Sequence, residues 1–272
     1  MSKKYAGFDI ETAEKAPEDG DDNYALGVTC AAVLKSGDSE PRLWAAGPVG
    51  LDGRYPEKMT PESVCDLVNY LCGLVYEDGY TLTGINSLGF DLRVLAEECQ
   101  DLVVYDNLRD LALAHIDPGF QMLAERGFMV GMKALSIGLQ LAEQKSGDMD
   151  GLRAVEMWAS GSRADQDEVL KYVAQDARVT LAIAETLENK RWTWEQWDHK
   201  RREVVRYKDC RAIHWLTKAG EIGHHCLKDG PLTVKECLAL PLPDTRWMER
   251  RGSKPWSREQ YAGWTDARIL EE

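Results

Sequence analysis

Tyr5-Ala6-Gly7-Phe8-Asp9-Ile10-Glu11 is the stretch on which the fold turns. Its apolar residues, interrupted by single acidic ones, predict a β-strand. In a strand, Asp9 and Glu11 project from one face with α-carbons about 6.6 Å apart, and Phe8 and Ile10 face the opposite side as core residues. Two carboxylates on one rigid face repel each other. Divalent cations relieve that repulsion, and an oxygen-only ligand set suits Mg2+ or Mn2+. Taken alone, Asp-x-Glu is a frequent pattern, for which a strand-end surface charge is the ordinary explanation.

Outward from this strand, two more are expected at 24–34 and 41–46, with a solvated, acidic hairpin loop over Glu14–Asp22 between the first two. Thr60 and Pro61 have the form of an N-cap and first helical residue, followed by Val64, Leu67, Val68, Leu71, Leu74 and Val75 at helical spacing, with Gly79 as the stop. A short strand is expected at Tyr80–Ile85, a turn at Asn86–Phe90 and a helix from Asp91 to Cys99. Beyond it the expectation is a strand at Leu102–Tyr105, helices near 107–115, 118–126 and 132–142, and a loop at Gly147–Gly151. A long helix, capped by Asp165 or Asp167 and reaching about Asn189, carries the apolar stripe Val169, Leu170, Val173, Ala177, Leu181 and Ala184. Three opening strands followed by alternating helices and strands predict an α/β domain around a mixed sheet.

Two further carboxylates stand in suggestive places. Asp91 follows the turn-rich Asn86-Ser87-Leu88-Gly89-Phe90 and opens a helix, where an N-cap role is the simplest explanation. Asp176 sits inside the long helix, an unfavourable position unless it faces solvent or a site. Tyr172 lies one turn earlier on the same face. In order and context these pieces match three motifs: Phe8-Asp9-Ile10-Glu11-Thr12, Asn86-Ser87-Leu88-Gly89-Phe90-Asp91, and Tyr172-Val173-Ala174-Gln175-Asp176. Together they resemble the exonuclease motifs of the DEDD superfamily, whose members have a ribonuclease H-like fold. The second is most similar to that of the proofreading domains of family B DNA polymerases. Tyrosine four residues before the last aspartate marks the tyrosine subfamily; the histidine subfamily has histidine five before, where this chain has Lys171.

The resemblance implies a 3'-to-5' exonuclease acting on nucleic acid with a free 3' end, with single-stranded DNA as the expected substrate. Asp9, Glu11, Asp91 and Asp176 would hold two divalent cations, Mg2+ or Mn2+, and Tyr172 would orient the attacking water. Thr12, Asn86 and Phe90 are the expected contacts to substrate. Two rival readings fare worse. A haloacid-dehalogenase-like phosphatase wants aspartate at position 11 and leaves the later motifs unexplained. A catalytically silent ribonuclease H-like binding or assembly module would be expected to have lost some of the five groups, and all are present.

Composition is compatible with this reading. The 272 residues are 44 % hydrophobic and 29 % charged with a mean hydropathy of −0.42, as in soluble globular proteins. No apolar run is long enough for a membrane span, and the N-terminus does not read as a signal peptide, so a cytoplasmic location and no membrane partner are expected. The net charge of −13 argues against coating nucleic acid by bulk electrostatics. It does not argue against an enzyme of nucleic acid ends, because bound cations reverse the local field. Seven cysteines with no C-x-x-C pair argue against a disulfide framework or zinc ribbon and predict reduced thiols. His224 and His225 lack metal-ligand spacing. The exonuclease domain is expected over 1–190 and a Trp-rich, partly basic extension over 191–272. Within 190–211, eight Lys and Arg face four Asp and Glu among Trp192, Trp194, Trp197 and Tyr207. That segment could grip phosphates and stack unpaired bases, or form a solvated helix with a packed aromatic side.

Overall fold

A computed structural model describes residues 3–16, 23–144, 149–198, 201–249 and 255–268. Residues 17–22 of the expected acidic loop, 147 and 148 of the second loop, and Lys200 lie outside them. The opening strands are β1 (Tyr5–Thr12), β2 (Val28–Lys35) and β3 (Arg42–Ala45), followed by α1 (Pro61–Tyr76) and β4 (Thr81–Thr83). The sheet order is β3-β2-β1-β4, with β1 antiparallel to β2 and parallel to β4. Ile116 adds beside β4 through a parallel bridge to Thr83. Helices cover this mixed sheet, which is the fold class expected from the sequence.

Local chemistry sets the helix boundaries. Thr60 caps α1 by accepting from the Ser63 amide, with Pro61 in the first turn. The next helices are α2 (Asp91–Glu98), α3 (Leu102–Ala114), α4 (Pro118–Arg126), α5 (Met132–Gly138), α6 (Gly151–Ala159) and α7 (Arg163–Asn189). The strand expected at Leu102–Tyr105 is instead the first turn of α3. The Asp101 carboxylate accepts from the amides of Val103 and Val104, and this cap overrides the β preference of the two valines. Helix α6, buried through Ala154, Val155 and Trp158, follows the loop expected at Gly147–Gly151, in a stretch for which no element was expected. Helix α7 is capped by Ser162, whose hydroxyl accepts from the Asp165 amide, not by Asp165 or Asp167; Asp167 instead pairs with Arg163 at 2.8 Å.

Beyond Asn189 the chain forms two antiparallel hairpins, β5 (Trp192–Asp198) with β6 (Glu203–Cys210) and β7 (Ala212–Leu216) with β8 (Ile222–Cys226). The solvated helix considered for 190–211 is therefore replaced by a β-ribbon. Its logic is a period of two: Trp192 and Trp194 alternate with polar residues, and Trp194 stacks on its cross-strand partner Tyr207 with ring centroids 4.6 Å apart. Ile213 of β7 and Leu227 join Leu135 of α5, Leu139 at its end, and Ile183 and Leu187 of α7 in a second core cluster. Short helical turns finish the chain: α8 (Val234–Ala239), α9 (Arg246–Glu249), α10 (Glu259–Ala262) and a 3-10 turn at Gly263–Arg268. Among the described residues, no helix is long and apolar enough to cross a membrane.

Candidate active site

The site begins with a glycine. Gly7, Asp9 and Glu11 share the face of β1 that looks at α7. A Cβ on Gly7 would stand 2.7 Å from both the Ala177 carbonyl oxygen and the Leu181 amide nitrogen. Only glycine permits this approach. With helix backbone lying directly on Gly7, Asp176, next to Ala177, is carried to the carboxylates two and four residues up the strand.

Asp9, Glu11 and Asp176 accordingly converge, each offering a carboxylate oxygen within 4.8 Å of the others. Among the described residues they form the one group of three or more His, Cys, Asp or Glu side chains so arranged. Asp176 is 1 % and Glu11 7 % exposed, and Asp9 is half-buried. Three oxygen donors without nitrogen or sulfur suit a hard divalent cation. Burial of three like charges is costly without one. The thiol of Cys30, opposite Glu11 in the register, is pushed well above its ordinary pKa by burial and then by the charge of Glu11, so it stays protonated and inert.

Asp91 lies at the border of this group. It does not cap α2: Phe90 holds that position, without a side-chain bond to the helix amides. Its Oδ1 instead accepts from the Ile10 amide at 3.1 Å, where β4 has ended and the edge of β1 would otherwise be open. The carboxylate is thus pinned beside the peptide that joins Asp9 to Glu11, and Asp91 is 5 % exposed. Tyr172 is buried in the main core cluster, one turn before Asp176 on α7.

A cavity of about 310 Å3 opens beside Glu11, walled by Thr12 and Phe90 and, across from them, by Leu152 and Val155 of α6. The Thr12 hydroxyl donates to the Glu14 carbonyl at 2.8 Å, and the Phe90 ring stands edge-on to Tyr24. Asn86 is exposed, holds a left-handed φ of 62°, and is absent from the residues walling this cavity.

Solved structures offer distant likenesses. One is the family B DNA polymerase of the hyperthermophilic archaeon Pyrobaculum calidifontis, 18 % identical, with a TM-score of 0.48 over 68 % of this chain and 24 % of that one. Exonuclease I matches over the whole chain in its apo form (11 % identity, TM-score 0.37, 71 % of that chain) and product-bound form (12 %, 0.34, 72 %). The chain spans about a quarter of the polymerase's length. No protein-family model and no curated protein matches it. These three TM-scores lie below 0.5, and the site's chemistry rests on its own geometry.

That geometry includes residues the sequence did not single out. Buried Asp117 caps α4 through the Phe120 amide and also accepts from the amides of Asn86 and Leu88. Burial raises its pKa to about 6 against the pull of these amides. His115 bonds Ser87 Oγ at 2.9 Å and the Ala112 carbonyl at 2.6 Å, and burial lowers its pKa to about 4. From the far end of the chain, Trp264 Nε1 donates to the Leu88 carbonyl at 2.8 Å and the Tyr261 ring covers Gly89. The loop that delivers Asp91 is therefore clamped by the α3–α4 junction on one side and by the C-terminal segment on the other.

Proposed function

We propose that the chain is a two-metal-ion 3'-to-5' exonuclease acting on single-stranded DNA, with Asp9, Glu11, Asp91 and Asp176 as ligands and Tyr172 as the group that orients water. The observation that carries the proposal is the meeting of Asp9 and Glu11 of β1 with Asp176 of α7 in one largely buried cluster. The domain reading that goes with it assigns catalysis to residues 1–190 and a supporting role to 191–272.

Divalent cations bound there would polarise the scissile phosphate, lower the pKa of a bound water and stabilise the leaving 3'-oxygen. The chain's own groups do the rest. Asp9, in reach of Glu11 and Asp176 and next to the Ile10 amide that anchors Asp91, would serve both halves of the site. Tyr172, one turn from Asp176, offers a phenol to hydrogen-bond the attacking water. Phe90 and Thr12 wall a cavity whose volume is at the small-ligand scale, and an unpaired terminal base can lie against the Phe90 ring. Without cations a phosphate would meet three carboxylates, so binding of the reacting end and metal loading must go together.

A 5'-labelled oligonucleotide incubated with Mg2+ or Mn2+ should give a ladder shortening from the 3' end. Asp9→Ala and Asp176→Ala should abolish it in folded protein, and Tyr172→Phe should slow it. Substrate left intact but shifted in a gel would point instead to a silent binding module.

A further inference from the structure

The β5–β6 hairpin has one face committed to the protein and one turned to solvent. On the committed face, Trp194 stacks on Tyr207 and lies against His214 and His224 of the second hairpin. On the other, Trp197 and Val204 are direct cross-strand partners, as are Glu195 and Arg206, and Lys208 follows on the same side of β6. Trp197 is 50 % and Val204 58 % exposed. Packing of Trp194 needs only the inner half of the ribbon. The outer half, with its indole in water, is a surface of the kind that a partner covers.

Charge selects the partner. On this outward face Arg206 and Lys208 stand against the single carboxylate of Glu195, a local positive excess in a chain of net −13. Arg206 lies 3.8 Å from Glu195, but both are exposed, so this pair is weak and readily exchanged for a phosphate. Cations flanking a solvent-facing indole fit a polyanion that also presents flat aromatic groups. Single-stranded nucleic acid meets both conditions, because its unpaired bases can stack while its phosphates pair with Arg and Lys. A duplex keeps its bases out of reach. The hairpin also stands on the helix that carries the site. Asn189 lies thirteen residues beyond Asp176 on α7, about 20 Å along the axis, and β5 begins at Trp192.

We propose that the outward face of the β5–β6 hairpin, with Trp197, Arg206 and Lys208, docks the body of a single strand several nucleotides from its 3' terminus. The position of that terminus rests on the nuclease reading; the binding itself does not.

Binding of fluorescein-labelled 20-nucleotide oligothymidylate is measured by anisotropy in EDTA, where no metal-dependent cleavage occurs. Trp197→Ala should weaken it by about 5- to 150-fold, the range for loss of one base stack, and Trp197→Phe should restore most of the affinity. Arg206→Ala together with Lys208→Ala should flatten the slope of log affinity against log salt by about 1.4. Hydrolysis of p-nitrophenyl thymidine 5'-phosphate with Mn2+, a substrate too small to span about 20 Å, should be the same in Trp197→Ala and wild type. Unchanged affinity in Trp197→Ala overturns the proposal. If the wild type hydrolyses neither substrate while Trp197→Ala still loses affinity, the nuclease reading fails and the docking surface stands.

Discussion

Replacing Asp176 by Asn should stabilise the metal-free protein while removing its response to metal. At a separation of no more than 4.8 Å, two ionised carboxylates would repel by at least about 3.5 kcal/mol at an effective dielectric constant of 20. Asp176 faces two such neighbours. Solvent at the half-buried Asp9 screens some of this, and the amide remains a near-isostere. A net gain of about 2 kcal/mol in EDTA is therefore expected, seen as a rise in Tm of about 4–8 °C for a chain of this size. Divalent cations should invert the order. The wild type should gain about 2.7 kcal/mol when Mn2+ is one hundred times its Kd, and Asp176→Asn should gain little. Thermal unfolding of both proteins in EDTA and across a Mn2+ titration reads all four states. A variant less stable than wild type in EDTA, or one that gains as much from Mn2+, would refute the electrostatic account of the cluster.

Other consequences follow from the scaffold. Gly7→Ala sets a methyl group against helix backbone, which cannot yield as a side chain would; a loss of about 1–3 kcal/mol in urea unfolding is expected, with weakened Mn2+ binding as Asp176 is pushed away, and unchanged Mn2+ affinity would contradict the role given to Gly7. Trp264→Phe removes the donor to the Leu88 carbonyl, should cost about 1 kcal/mol, and should speed hydrogen exchange at residues 86–90; unaltered exchange there would show that the C-terminal segment does not hold the loop. His115 has a folded pKa of about 4 against about 6.5 unfolded. The unfolded chain therefore binds the extra proton between these values, and the stability His115 contributes is complete above pH 6.5 and lost as pH falls towards 4. The stability advantage of wild type over His115→Asn should shrink by about 3 kcal/mol as pH falls across that window, and a difference independent of pH would speak against a neutral buried imidazole.

The parts of this site that were legible in the sequence are those fixed by local spacing. The stripe Val169, Leu170, Val173, Ala177, Leu181 and Ala184 is buried throughout, so Asp176 could be placed inside a core-facing helix before its neighbours were known. Asp9 and Glu11 needed only the two-residue period of a strand. What was hidden depends on distant pairs. Asp117 reaches Asn86 across 31 residues and Trp264 reaches Leu88 across 176, and no local pattern announces either. Gly7 reads as any strand glycine until a helix is laid on it. Asp91 looked like a helix cap because its partner, the Ile10 amide, lies 81 residues earlier. In the 192–210 ribbon, dense charge masked the alternation of aromatic residues that defines the strands.

The most direct test of the central claim is anomalous diffraction from crystals soaked in Mn2+. A peak bonded to the carboxylates of Asp9, Glu11 and Asp176 is predicted, with a second on the Asp91 side of Asp9, and both should vanish in Asp9→Ala. Crystals in which Mn2+ avoids this cluster, from protein that degrades oligonucleotides with Mn2+, would contradict the account.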